Sequence, residues 1–271
     1  MSQADSSSRR ANDLGGAEWT RHSISVWSDI RKTPEEAALK HPAMFPAMLV
    51  QRVIRSFTRE DAPNILDPFA GSGSTLVAAH QEKRCGIGFE ISPEYAALTR
   101  RRLAAAGAPE GSFALYEESA EAIPQRLVPD SVDLCVTSPP YWNILSQKRT
   151  ADFKDVRDYA GAAGDLSRID SYEEFVERLA RVFAGVYEVL KPGAYCVVNV
   201  MDLRKKARFY PLHSDLAGRL SDPDRGGRYE FDDLIIWDRR AEYNNLRPLG
   251  YPAVFRINKV HEFLVILRKG F

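Results

Sequence analysis

The sequence predicts an α/β fold: a mixed sheet of seven strands flanked by helices on both faces. Short continuous apolar runs alternate with longer segments of helical periodicity, as expected where strands are covered on both sides. A glycine-rich turn joins one such run directly to a helix. With 271 residues, 44% of them hydrophobic, the chain supplies a core large enough for one domain of this kind.

Strands are expected at 65–69, 85–90, 112–117, 132–137, 194–201, 234–237 and 262–268. Phe45, Met48, Leu49, Val53 and Phe57 recur at steps of three and four, which predicts a helix. A longer helix follows Ser171, a natural N-cap with Glu174 three residues on. Its stripe runs through Phe175, Leu179, Val182, Phe183, Val186, Tyr187 and Leu190, and Lys191-Pro192-Gly193 stops it. Residues 1–17 read as a disordered tail and 18–271 as a single domain. Stretches near 142–170, 204–229 and 238–260, rich in Arg, Asp, Gly, Pro and Asn, read as loop insertions.

Thirty-seven basic residues balance thirty-seven acidic ones, which excludes a protein that binds polyanions by bulk charge. No apolar run reaches the roughly 18 residues of a membrane helix, and the first residues lack a signal-peptide core. Cys85, Cys135 and Cys196 are odd in number, distant and set in apolar runs, as for reduced thiols; a cytoplasmic location without a metal site is expected. His22, His80, His213 and His261 show no ligand spacing.

Two constellations carry chemistry. In the first, the strand residues Asn64-Ile65-Leu66 run straight into Asp67-Pro68-Phe69-Ala70-Gly71-Ser72-Gly73-Ser74-Thr75 and then a helix. Gly71 and Gly73 allow a tight turn and close approach to a ligand at a helix N-terminus. About twenty residues on, Glu90, followed by Ile91, ends the next strand where a carboxylate can accept ribose hydroxyls. Leu76 stands where a dinucleotide fingerprint has its third glycine, and no Lys follows as in a P-loop. A carboxylate at Asp67 would repel a pyrophosphate but complements an ammonium and a sulfonium, which points to S-adenosyl-L-methionine.

In the second, strand 132–137 ends in Ser138-Pro139-Pro140-Tyr141-Trp142. Two prolines stiffen the turn and fix the Pro139 carbonyl beside the Ser138 hydroxyl. Together these offer acceptors for both hydrogens of an amino group, while Tyr141 and Trp142 offer flat faces for a base.

With these turns in place, the sequence resembles the amino-methylating DNA methyltransferases that act on cytosine N4 or adenine N6, including those of restriction-modification systems. Asp67 to Ser74 looks like their cofactor loop, and Ser138 to Tyr141 like their catalytic motif. His41-Pro42-Ala43-Met44-Phe45-Pro46 is similar to the segment flanking the methionine part of the cofactor; Lys191-Pro192-Gly193 and 261–267 resemble later sheet motifs. The resemblance implies a Rossmann-like class I S-adenosylmethionine-dependent methyltransferase fold, with His41, Pro42 and Phe45 at the cofactor. The serine form of the catalytic motif is associated mainly with cytosine N4, although a hydroxyl can accept from either base amine. The stretch Glu117-Glu118-Ser119 departs from the usual Asp beside the cofactor's adenine, and Glu118 and Ser119 are taken as its counterpart. No large recognition region is evident, so recognition is expected from loops, a second copy in a homodimer, or a separate specificity subunit.

The expected reaction is direct methyl transfer to the amine without a metal or a covalent enzyme intermediate. DNA contacts are expected from Trp142 and two basic clusters: Arg204, Lys205 and Lys206 beside Arg208, Phe209 and Tyr210, and Arg239, Arg240, Asn244, Asn245 and Arg247. The same residues leave open adenine N6 as target, RNA as substrate, and a catalytically silent binding subunit.

Overall fold

The computed structural model describes residues 11–39, 44–144, 165–205, 207–242, 252–254 and 256–271. Along the chain lie α1 (Gly16–His22), β1 (Val26–Trp27), α2 (Pro34–Ala38), α3 (Ala47–Phe57), β2 (Asn64–Asp67), α4 (Ser74–Gln81), β3 (Cys85–Phe89), α5 (Pro93–Ala105) and β4 (Phe113–Tyr116). There follow α6 (Ile123–Arg126), β5 (Val132–Thr137), α7 (Tyr172–Val189), β6 (Leu190–Val200), β7 (Leu203–Lys205), β8 (Arg208–Tyr210), α8 (Leu212–Ser221), β9 (Tyr229–Asp238) and β10 (His261–Lys269).

The main sheet has the order β1-β9-β10-β6-β5-β2-β3-β4. Strands β2 to β6 pair in parallel, whereas β10 inserts antiparallel between β6 and β9. All seven expected strands are present. The eighth, β1, is a two-residue edge segment that pairs Val26 and Trp27 with Ile236 and Trp237, too short to leave a periodic trace.

Alternation along the strands divides the core. Ile65, Leu134, Val136, Val197, Leu264 and Ile266 face one side, where they meet Trp27, Trp237 and the buried stripe of α3. Leu66, Cys135, Cys196, Val198, Val265 and Leu267 face the other, under α7 and α8. Cys135 and Cys196 lie opposite each other in the β5/β6 register as free thiols.

Three expectations need correction. Met48 is 44% exposed; the buried face of α3 is Leu49, Val50, Val53 and Ile54, one position round from the predicted stripe. The stretch after Arg204 is not a plain loop but a hairpin, β7–β8, followed by α8, whose Leu212, Leu216, Ala217 and Leu220 are buried. The described end of the predicted tail packs as well, with Leu14 buried and Asn12 Nδ2 donating to the Ser56 carbonyl at 2.9 Å. For α7 the cap is as expected, since Ser171 Oγ accepts from Glu174 N at 3.2 Å. The helix ends at Val189, and β6 begins at once, so that Lys191-Pro192-Gly193 forms the irregular start of a strand.

The β2–α4 turn depends on Gly73, the N-cap of α4, at φ +80°. A Cβ there would stand 2.6 Å from Thr99 Cγ2. Gly73→Ala is therefore expected to cost roughly 1–3 kcal/mol through left-handed strain and steric conflict, read as a lower midpoint in thermal unfolding.

Candidate active site

The carboxyl ends of β5, β2, β3 and β4 open into one cleft with about 900 Å³ of empty space. The glycine turn contributes Pro68, Phe69, Gly71, Ser72 and Ser74; the end of β3 contributes Glu90 and Ile91; the segment after β4 contributes Glu118 and Ser119. Ser138, Pro139 and Pro140 close one side, and Met44 and Phe45 another. The two turns singled out from the sequence thus share a single cavity because β2 and β5 are hydrogen-bonded neighbours.

Glu90 is mostly buried. One oxygen accepts from Gly71 N at 2.7 Å and the other from Ser92 N at 2.8 Å. Burial, opposed by these bonds and reinforced by the charges of Asp67 and Asp165, lifts its carboxyl above the usual range. Arg102 holds the glycine turn from behind, donating to the Ser72 carbonyl at 2.6 Å and facing Glu36 at 3.4 Å. Ser119 Oγ accepts from Glu121 N at 3.3 Å, and Glu118 is paired with Arg126.

Asp67 is placed differently from expectation. It is 1% exposed and does not line the cleft. Its Oδ1 accepts from Thr137 Oγ1 at 2.6 Å and Phe69 N at 3.0 Å, and its Oδ2 from Thr75 Oγ1 at 2.6 Å. Direct contact with a cationic ligand is therefore corrected to a structural role: the carboxylate ties the glycine turn to α4 and to the last residue of β5. Thr75 and Gly73 are likewise structural, one a donor to Asp67 and the other packed on Thr99.

At the second turn, Ser138 Oγ is shielded from solvent and has no hydrogen-bond partner. Its polar neighbour is the Tyr141 phenol, which donates to Glu262 Oε2 at 2.9 Å. Burial, with the Glu262 charge, holds that phenol well above its ordinary pKa. Tyr141 is buried outside the cleft lining, so the open stacking face expected of it is not presented. Glu262 also accepts from Asn199 Nδ2 and pairs with Arg239.

The nucleic-acid expectations are reshaped. Trp142 is buried, donates from Nε1 to the Ile169 carbonyl at 2.7 Å and packs edge-on against Tyr172 and Tyr210; it is a packing residue. Lys205 Nζ lies 4.1 Å from the Trp142 ring centre and donates to Asn143 Oδ1 at 2.8 Å. Arg239 serves as counter-ion to Glu262 and Glu242, a correction forced by the cost of leaving Glu262 buried and unpaired. Arg240 is 73% exposed in its side chain and paired with Asp238. Arg204 lies over Phe209 at 5.5 Å on the exposed hairpin. His41, Pro42, Lys206, Asn244, Asn245 and Arg247 lie outside the described residues.

Sequence reading missed Glu262, Asn199 and Asp165. An acid inside the apolar run at 262–268 was the available signal for Glu262, because a charge on a buried strand demands a partner. Asn199 gave the same signal on β6, and Asp165 gave none beyond its place in a loop.

A family model for DNA methylases matches residues 2–101 and 132–270. The chain belongs to this DNA methylase family. Among its relatives, the type II methyltransferase M2.DpnII of Streptococcus pneumoniae is 42% identical over 81 residues, covering 30% of either chain. The type II methyltransferase M.ScaI of Streptomyces caespitosus is 43% identical over 65 residues, 24% of this chain and 21% of that one. The matched stretches thus span less than a third of these relatives' lengths. By structure, a SAM-dependent methyltransferase from Methanosarcina mazei superposes with TM-score 0.50 at 17% identity, covering 80% of this chain and 97% of that one. TrmN of Thermus thermophilus gives 0.52 at 15% identity, covering 86% and 51%. Both show the same fold.

The cofactor is S-adenosyl-L-methionine, and the residues present in this methylase fit it. An acid, Glu90, lines the cleft at the carboxyl end of β3, Gly71 leaves the backbone open to close approach, and the cleft is lined chiefly by apolar groups with a few polar ones. No metal-ligand cluster is found among the described residues, and no described helix is long and apolar enough to cross a membrane.

Two outcomes test this site. Burial lifts Asp67 from 3.8 to about 6 against the pull of its hydrogen bonds, a difference of about 3 kcal/mol. Because the folded value is the higher, its favourable contribution is complete below about pH 4 and is lost as pH rises through 6. The unfolding free energy of wild type minus that of Asp67→Asn should fall across this window in denaturant titrations; a difference independent of pH would show that burial does not raise this carboxyl. Glu262→Ala should cost on the order of 1–3 kcal/mol in denaturant titrations by leaving Tyr141 and Asn199 without their acceptor, while Arg239 keeps Glu242. Glu262→Gln should be milder since it keeps an acceptor for Tyr141.

Proposed function

We propose that this chain methylates an exocyclic amine of a DNA base, cytosine N4 being the favoured target. The observation that carries the reading is the Ser138 hydroxyl, unpartnered and shielded at the wall of the cofactor cleft, in a turn stiffened by Pro139 and Pro140. An unpaired buried hydroxyl is costly, and a ligand amine would supply its partner.

When bound, S-adenosyl-L-methionine supplies an electrophilic methyl group. The protein's part is positioning. Ser138 Oγ and the Pro139 carbonyl take the two amine hydrogens, which withdraws the nitrogen lone pair from the ring and aims it into the cleft. A target in duplex DNA must leave the stack, at a cost of a few kcal/mol. Glu262 holds Tyr141 from behind, so the turn does not reorganise when the base enters. Arg204 and Arg208, flanking Phe209 on the β7–β8 hairpin, are assigned to the phosphate backbone. Recognition of a sequence is assigned to a second copy or a specificity subunit, in a cytoplasmic restriction-modification setting.

Ser138→Ala should lower turnover roughly 100-fold with little change in cofactor affinity. Mass spectrometry of nucleosides from DNA treated with wild type should reveal N4-methylcytosine; N6-methyladenine in its place would overturn the choice of base, and label in RNA alone the choice of substrate.

A further inference from the structure

Four acidic side chains line the cleft: Glu90, Glu118, Glu121 and Asp165. Three are committed. Glu118 pairs with Arg126 and Glu121 with Arg178, while both oxygens of Glu90 accept backbone N–H groups. Asp165 differs. Its Oδ1 accepts from Ser167 N at 2.9 Å and Ser167 Oγ at 2.7 Å, but its shielded Oδ2 accepts no hydrogen bond. The side chain is 5% exposed, and its ion pair is a loose one, 3.8 Å from Arg168 Nε.

The surroundings of Asp165 locate it. The segment it begins is tied to the residues just after the catalytic turn: the Ile169 carbonyl accepts from Trp142 Nε1, and Asp170 Oδ1 from Asn143 Nδ2 at 3.4 Å. Its charge is also felt at Glu90. Asp165 therefore lines the same cleft as Glu90 and Ser138, on a segment fastened to the end of the proline turn. A buried carboxylate oxygen without a donor is expensive unless a ligand supplies one. The cofactor brings two positive centres, an ammonium and a sulfonium, and Asp67, the residue whose sequence position promised to meet them, is sealed behind the glycine turn.

We propose that the Asp165 carboxylate pairs with the positive charge of the bound cofactor, an inference that rests on S-adenosyl-L-methionine occupying this cleft. The test is calorimetric titration of the full chain, as wild type, Asp165→Asn and Asp165→Ala, with three probes. S-adenosylmethionine carries both charges, S-adenosylhomocysteine the ammonium alone, and methylthioadenosine neither. Asp165→Asn keeps an acceptor for Ser167, and melting curves confirm that each variant is folded. Loss on the order of tenfold for the first two probes but not the third assigns the partner as the ammonium. Loss for S-adenosylmethionine alone assigns the sulfonium. Unchanged affinity for all three, or equal loss for all three in folded variants, would overturn the proposal. Failure of wild type to bind any probe would instead sink the reading of the cleft beneath it.

Discussion

One buried carboxylate holds the site together. Asp67 receives hydrogen bonds from the first turn of α4, from the backbone of the glycine turn, and from Thr137, the residue immediately before Ser138. The glycine turn and the proline turn are thus fastened to the same side chain. Burial works against the ionised form, and the three donors work for it. The balance makes the junction specific: an amide of similar size would keep one acceptor but turn an NH₂ toward the other donor, so that the hydroxyl facing it, Thr75 in one orientation, would have to reorient.

A second buried acid does the corresponding work on the far side. Glu262, at the start of β10, gathers Tyr141, Asn199 and Arg239. The proline turn is therefore anchored at both ends, at Thr137 by Asp67 and at Tyr141 by Glu262. Between these anchors, the Ser138 oxygen is shielded and accepts no hydrogen bond from the protein. Rigidity around an unsatisfied group is what a site needs if its hydrogen-bonding capacity is kept for a ligand.

Much of this was legible in the amino-acid order. The seven long strands announce themselves because apolar runs covered on both faces leave little ambiguity, and the two turns follow from glycine and proline chemistry. The direction in which each side chain points was not legible. Asp67 reads equally well as facing ligand or facing inward, and only the register of β2 against β5 brings Thr137 within reach of it. Arg239 reads as a free basic group until β9 is laid beside β10, where the pairing Trp237 to Glu262 brings it to a carboxylate. The hairpin and α8 were missed because polar, charged sequence masks short elements whose buried face is only four residues wide. Asp165 carried no pattern at all, since its significance lies in what does not contact it.

The antiparallel insertion of β10 has a bearing on how the molecule is made. Its direction brings Glu262 to the same edge as the carboxyl ends of the parallel strands, although more than a hundred residues separate it from Tyr141. On a ribosome the glycine turn and the proline turn emerge long before that acid does. The brace behind the tyrosine can form only when β10 threads between two already synthesised neighbours.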